Sequence, residues 1–298
     1  MHTIIPRPPI ETLLKELRPA LLCRQTNKAN NLVYDFHASE APTLMQEVGR
    51  LREMAFRMAG GGTGKSVDID ELDMHPDGYR QLIVWDPEDR EIIGGYRYIA
   101  PRTSDCKLLS TEHYFEFSDT FRQKYLPDTI ELGRSFVQPN YQARGAKGLF
   151  ALDNLWDGLG ALINQNPDIK YLFGKVTMYG DYNIEARNML IFFLKKHFPD
   201  TENLLQTKFP VHMDIDHNQL EELFNGVDYE ADYKILQRNI RDFNETVPPL
   251  INAYMSLSPS MKVFDTAVNP DFGDVEETAI LITIEDLYPK KVERHMEY

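Results

Sequence analysis

The chain has 298 residues, 42% of them hydrophobic and 26% charged, enough to bury a real core as one large domain or two small ones. Its 46 acidic residues against 32 basic ones, a formal net charge of −14, argue against a general nucleic-acid binder, which would show a basic face. Two cysteines, Cys23 and Cys106, exclude a disulfide framework and point to a reducing compartment.

No metal-ligand spacing is visible, and no run of about 18 apolar residues that would span a membrane. Met1 to Ile10 carries three prolines and no apolar core, which does not read as a signal peptide. The expectation is a cytoplasmic protein, with peripheral contact at the inner membrane left open.

Ile10 to Leu22 reads as a short helix in an N-terminal extension of residues 1–30. Asn31 to His37 alternates as a strand. From Ala41, Leu44, Val48, Leu51 and Ala55 recur at helical spacing to about Met58; Phe56 falls on the core side and Arg52 reads as a surface or capping charge. The glycine-rich run Gly60 to Ser66 tempts one towards a phosphate-binding P-loop. Its first glycine position falls on Ala59, however, and the run follows a helix and precedes acidic sequence, the wrong context for that motif. A mobile loop near a site is the better reading.

Asp68-Ile69-Asp70-Glu71-Leu72-Asp73 is an acidic cluster. Such clusters are usually solvated loops or helix starts; the functional alternative is that this one attracts a cationic amine. Gln81 to Trp85 and Glu91 to Ala100 are strands joined by the turn-forming Asp86-Pro87-Glu88-Asp89. Thr129 to Gln138 is the next strand. There period two turns Glu131, Gly133 and Ser135 one way and Leu132, Arg134 and Phe136 the other. A carboxylate in a mostly apolar strand is costly unless it is paired or used. Glu131 is therefore either a general base or half of a structural ion pair with Arg134.

Gln142 to Gly148 lies between that strand and an apolar helix from Gly145 to Asn164. It is a plain turn or a phosphate site, in which free N–H groups at the helix start and the charges of Arg144 and Lys147 meet an anion. Tyr171 to Met178 is a strand and Ile184 to His197 a second apolar helix. Residues 199–260 are more polar and mostly helical in pattern, and look like an insertion. Val263 to Ala267 and Thr278 to Ile284 are the last strands. His37, His197 and His212 sit beside apolar residues and read as structural.

This order of strands and helices, with a glycine-bearing loop after the fourth strand, resembles the GNAT acyltransferase fold. That fold is α/β in the α+β sense, with a mixed, mostly antiparallel central sheet flanked by helices over residues 31–298. The spaced set Arg52-x-x-x-Phe56, Asp70-x-x-Asp73, Arg97 and Glu131-x-x-Arg134 is similar to the signature of acyl-homoserine-lactone synthases. It is similar also to their relatives, the N-acyltransferases that begin ornithine-lipid and glycine-lipid synthesis and carry the label hemolysin. The insertion favours the lipid branch.

The resemblance implies transfer of a fatty acyl group, often 3-hydroxylated, from acyl carrier protein (or coenzyme A) to the amine of a small amino acid such as glycine or ornithine. It implies Glu131 as base with Arg134 orienting it. Arg52, Phe56, Asp70, Asp73 and Arg97 would lie on the acceptor side, and Arg144, Gly145, Lys147 and Gly148 would bind the donor phosphate. No cofactor is expected to be resident. The tyrosine acid of many GNAT enzymes falls here on Leu190, so either the thiolate leaves unassisted, as its modest pKa allows, or Tyr179 or Tyr182 substitutes. Lys147 stands where a small residue is usual, which weakens coenzyme A and suits a carrier protein, whose contacts depend on charge. The rival readings are an acetyl-CoA-dependent acetyltransferase acting on a small amine or protein lysine, and a non-catalytic binding protein of the same fold.

Overall fold

Proline at the first turn, where its missing N–H costs nothing, starts the first long helix, and Leu44, Val48, Leu51 and Ala55 form its buried stripe. The structure, a computed structural model, describes residues 1–100, 108–142 and 148–297. In chain order its first elements are α1 (Ile10–Glu16), β1 (Leu22–Gln25), β2 (Leu32–His37), α2 (Pro42–Met58), α3 (Glu71–Met74), β3 (Arg80–Asp86) and β4 (Glu91–Ile99). Then come β5 (Phe115–Phe117), β6 (Thr129–Val137), α4 (Ala151–Gln165), β7 (Tyr171–Met178), α5 (Ile184–His197) and β8 (Leu205–Thr207). The last are α6 (His217–Leu223), α7 (Tyr229–Asp242), α8 (Pro249–Met255), β9 (Lys262–Asn269), β10 (Val275–Thr283) and α9 (Pro289–His295).

The fold is mixed α/β, with antiparallel sheet flanked by helices, the class expected. It divides into two compact units, one built from Met1–Ser110, Pro127–Lys170 and Pro289–Tyr298, the other from Thr111–Leu126 and Tyr171–Tyr288.

In the first unit β1, β2, β3, β4 and β6 pair in that order, each pair antiparallel. Side chains alternate between faces, so Gln81 and Ile83 share one face of β3 while Leu82 and Val84 share the other. Helix α2 lies on the Gln81 face, where Arg52 donates to Gln81. Helix α4 lies on the opposite face, where Gly158 packs against Leu82 and Val33 so closely that a Cβ would meet Leu82 at 2.9 Å. The C-terminal α9 locks onto α4 through His295 Nδ1 and Asp157 Oδ1, 2.8 Å apart, and through the backbone of His295 against Gly160.

Between β4 and β6 the register slips: Gly95 faces Phe136 but Arg97 faces Gly133. One extra residue is therefore accommodated in β6, a bulge, and Arg134 within it takes φ 50°. The strict alternation expected along residues 131–137 breaks at this point.

In the second unit β7, β10 and β9 pair antiparallel, with β7 and β10 in uninterrupted register from Tyr171↔Thr283 to Met178↔Glu276. Phe117, Phe121, Phe173 and Phe264 pack edge-on and tilted beside it. Asn183 caps α5 by accepting from the N–H groups of Glu185 and Ala186. Helix α7 packs on α5, with Tyr229 and Tyr233 against Phe193. Residues 199–260 hold β8 and helices α6 to α8.

Strand β1, helix α9 and the small β5–β8 pair were not legible as elements, each being short. The expected helix to Leu22 stops at Glu16 because Pro19 enters a separate turn. Among the described residues no helix is long and apolar enough to cross a membrane.

Candidate active site

Register brings one row of side chains together beneath α2. Gln81 on β3 is the cross-strand partner of Arg97 on β4, and Arg97 is the partner of Gly133 on β6. Period two adds Tyr79, two residues before Gln81, and Glu131, two residues before Gly133. All five lie on the face that α2 covers.

Arg52 comes down onto this row from α2 and is fully buried, which corrects its expected place at the surface. Its Nη1 sits 3.2 and 3.3 Å from the two oxygens of Asp73, and its Nη2 donates to Gln81 Oε1. Gln81 Nε2 donates in turn to Asp73 Oδ1 at 3.0 Å. The guanidinium is tolerable here because both partners accept from it in good geometry. The acidic run is correspondingly a buried feature as well as a helix start. Asp70 caps α3 in a reciprocal box with Asp73, and Asp73 is fully enclosed.

Arg97 closes the network, with Nη1 at 2.7 Å from Asp70 Oδ2 and 3.3 Å from Asp73 Oδ2. Burial alone would raise the Asp73 carboxyl, but the charges of Arg52 and Arg97 override it and hold the group well below the usual carboxylate range. Arg97 also lies over the face of Tyr79, its guanidinium carbon 4.5 Å from the ring centre.

Glu131 is fully buried, and two donors meet its Oε1: the hydroxyl of Tyr79 at 2.8 Å and the hydroxyl of Ser110 at 2.7 Å. Tyr79 accepts the backbone N–H of Ser110 at 2.9 Å, so the three groups form a closed triangle. Burial and the Glu131 charge push the Tyr79 phenol well above its ordinary pKa, so Tyr79 stays protonated and remains a donor. A carboxylate held at one oxygen by two hydroxyls, in an enclosed place, is oriented for proton transfer or for receiving an ammonium.

Arg134 pairs with the acid that precedes this cluster. Its Nε sits 3.1 Å from Asp68 Oδ2, and Asp68 is anchored to α2 through its N–H and the carbonyl of Gly49. Burial pushes the Asp68 carboxyl up, against the pull of Arg134 and then Arg52. Phe56 lies one turn beyond Arg52 and is buried.

The glycine-rich loop is occupied by the protein's own acid. Glu53, fully buried, accepts from Thr63 N–H, Thr63 Oγ1 and Gly64 N–H at 3.1, 2.7 and 2.8 Å. The N–H groups that a phosphate would need are therefore taken by a carboxylate.

Arg144, Gly145 and Lys147 lie outside the described residues. Gly148 opens the short turn Gly148–Phe150 that leads into α4. Tyr179 and Tyr182 belong to the second unit. The Tyr182 hydroxyl donates to the carbonyl of Thr246 at 3.1 Å, and burial and Glu245 push its pKa up to about 12. Among the described residues no group of three or more His, Cys, Asp or Glu side chains is placed to hold a metal ion.

Tyr79, Gln81 and Ser110 are site residues that sequence reasoning missed, Gln81 having been read only as a strand residue. Tyr79 precedes the apolar run that marks β3, yet period two counted backwards from Gln81 would have put it on the Arg97 face. Ser110 lies in a stretch without periodicity and carried no signal.

Residues 51–151 match the Acetyltransferase (GNAT) domain family. The chain is 51% identical to the glycine N(alpha)-acyltransferase of Bacteroides thetaiotaomicron, over 100% of this chain and 90% of that protein. It is 49% identical to the glycine N(alpha)-acyltransferase of Phocaeicola vulgatus, over 96% of this chain and 90% of that protein. A solved structure, the AHL synthase LasI, aligns with 55% of this chain and 78% of that one at 16% identity and a TM-score of 0.36, a loose likeness.

Proposed function

Because the chain belongs to the family of the glycine N(alpha)-acyltransferases and is an acyltransferase, we propose that it acylates the amine of glycine from a fatty acyl thioester. What carries this reading is the likeness, at about half identity over nearly all of this chain, to two proteins named for glycine. Its chemistry is supported by the anchored carboxylate of Glu131. Family membership sets aside the non-catalytic alternative.

Acylation joins the glycine nitrogen to the thioester carbonyl carbon, and the C–S bond breaks as the tetrahedral adduct collapses. The nitrogen sheds a proton on the way, and Glu131 is the group we assign to take it, directly or through a water. The thiolate is a good leaving group, since a thiol pKa near about 8.5 lets it depart without a side-chain acid. Tyr179 and Tyr182 are the alternative acids, and the Tyr182 hydroxyl donates to Thr246. The N–H groups beyond the β6 bulge, Phe136 to Gln138, are our candidates for the developing oxyanion, although Gln138 N–H already reaches the carbonyl of Ile93 at 2.9 Å.

The donor we assign is a 3-hydroxyacyl group on acyl carrier protein, with coenzyme A as the alternative carrier. Arg144 and Lys147 would meet the phosphate and the carrier's acidic surface. The product, an N-acylglycine, would begin an amino-acid lipid made on the inner face of a membrane.

The test combines purified protein and glycine with 3-hydroxyacyl carrier protein or the matching coenzyme A ester, read by mass spectrometry. An N-acylglycine is the expected product, and Glu131→Gln should abolish it while leaving the melting temperature nearly unchanged. If ornithine or a lysine peptide is acylated and glycine is not, the acceptor assignment fails. A Glu131→Gln variant with near-normal turnover removes Glu131 as base.

A further inference from the structure

Glycines in the central strands of the first unit serve two different purposes. At Gly94 an added Cβ would meet the carbonyl of Phe136 at 2.3 Å, and at Gly95 that of Leu82 at 2.6 Å; no side chain fits at either. At Gly133 the nearest atoms to an added Cβ are Arg97 Nε at 3.6 Å, Arg97 Cγ at 3.7 Å and Ser110 Oγ at 4.0 Å. These are ordinary contacts, and the left-handed φ of the bulge falls on Arg134. A glycine inside a strand marks a bulge conformation, a close backbone approach or a ligand. The left-handed residue of the bulge is the neighbouring Arg134, so no glycine is needed at 133 for that conformation, and no backbone atom lies close enough to demand one.

The atom nearest to the missing Cβ is also short of a partner. Arg97 is 2% exposed. Its Nη1 is engaged by Asp70 and Asp73, whereas its Nε meets no hydrogen-bond acceptor among the described residues. A buried guanidinium N–H with no acceptor is unusual, because such a group loses water and gains nothing. It points over Gly133, next to Ser110 Oγ and on the strand face that carries Glu131.

Resting on the acceptor reading above, we propose that Gly133 is the specificity residue of the acceptor subsite. The carboxylate of a small amino acid lies against Gly133, accepts the Nε–H of Arg97, and leaves its amine directed to Glu131. A donor N–H at one end and an acid at the other match the two charges of an amino-acid zwitterion. Any side chain at position 133 takes up the space that the acceptor uses.

The experiment measures KM and kcat for glycine and, separately, KM for the acyl donor, in wild type, Gly133→Ala and Arg97→Lys. Gly133→Ala should raise the glycine KM at least about tenfold, the usual discrimination from one methyl-sized group in a shaped pocket. Donor KM and melting temperature should change little. Arg97→Lys keeps a charge for Asp70 and Asp73 but has no Nε–H, and should raise the same KM. A folded Gly133→Ala enzyme with unchanged glycine KM, or with the rise in donor KM instead, overturns the proposal. If Gly133→Ala does not fold, Arg97→Lys carries the test: a raised acceptor KM supports the subsite and an unchanged one overturns it. Should wild type acylate a different amine, the glycine assignment fails by itself, and the same comparison on that amine still reads the subsite.

Discussion

Tyr79→Phe removes a single oxygen from the site and is the most informative change to it. That oxygen donates to Glu131 Oε1 at 2.8 Å and accepts the N–H of Ser110 at 2.9 Å, while the ring that stacks under Arg97 is kept. A hydrogen bond to a charged group contributes about 1.5–3 kcal/mol. If that bond holds the base in place through the transition state, its loss lowers kcat by roughly 10- to 150-fold, at 1.36 kcal/mol per decade. The same loss lowers stability, and unfolding entropy for a chain of this length makes each kcal/mol worth about 1.6 °C. The melting temperature should therefore fall by about 2–5 °C, too little to unfold the enzyme at assay temperature. The assay follows N-acylglycine formation under saturating glycine and donor, with calorimetry alongside. A kcat within about threefold of wild type, once the melting temperature has dropped as expected, refutes the idea that Tyr79 positions Glu131 for chemistry.

Arg52→Met leaves Asp73 buried with part of its compensation gone, which costs about 3–5 kcal/mol and should lower the melting temperature by about 5–8 °C. Arg134→Gly relieves the left-handed backbone but strands the buried Asp68 carboxylate, for a net destabilisation of about 1–4 kcal/mol in urea titrations; adding Asp68→Asn should recover most of it. The Asp73 carboxyl has a folded pKa held below its unfolded value of 3.8. It therefore contributes stability above that value and loses it as pH falls towards the folded pKa. The urea midpoint of wild type should consequently fall more steeply than that of Asp73→Asn as pH is lowered from about 6 to about 3. Parallel curves would mean that the carboxylate is not held by Arg52 and Arg97.

Much of this protein was legible in local pattern, because helix and strand periods depend only on neighbouring residues. The stripe Leu44, Val48, Leu51 and Ala55 marked α2 to within a residue of its observed span. The alternation in residues 31–37 marked β2, and the turn chemistry of Asp86-Pro87-Glu88-Asp89 marked the strands on either side of it, β3 and β4. The same period put Glu131 and Gly133 on one face of β6. Elements of three or four residues, such as β1 and β5, are shorter than any period and left no trace.

The sequence by itself also carried the ordered set Arg52, Asp70, Asp73, Arg97 and Glu131. It did not carry the distances that bring the set together. Arg52 meets Asp73 across 21 residues of chain and Gln81 across 29, and Tyr79 meets Glu131 across 52. Whether an arginine is buried depends on whether acceptors converge on it, and that convergence is a property of strand register and of α2 lying across the sheet. The bulge at Arg134, the capture of the glycine loop by Glu53 and the placement of Arg97 and Ser110 over Gly133 were likewise decided only in three dimensions. Each depends on atoms brought together from segments whose local patterns are independent of one another.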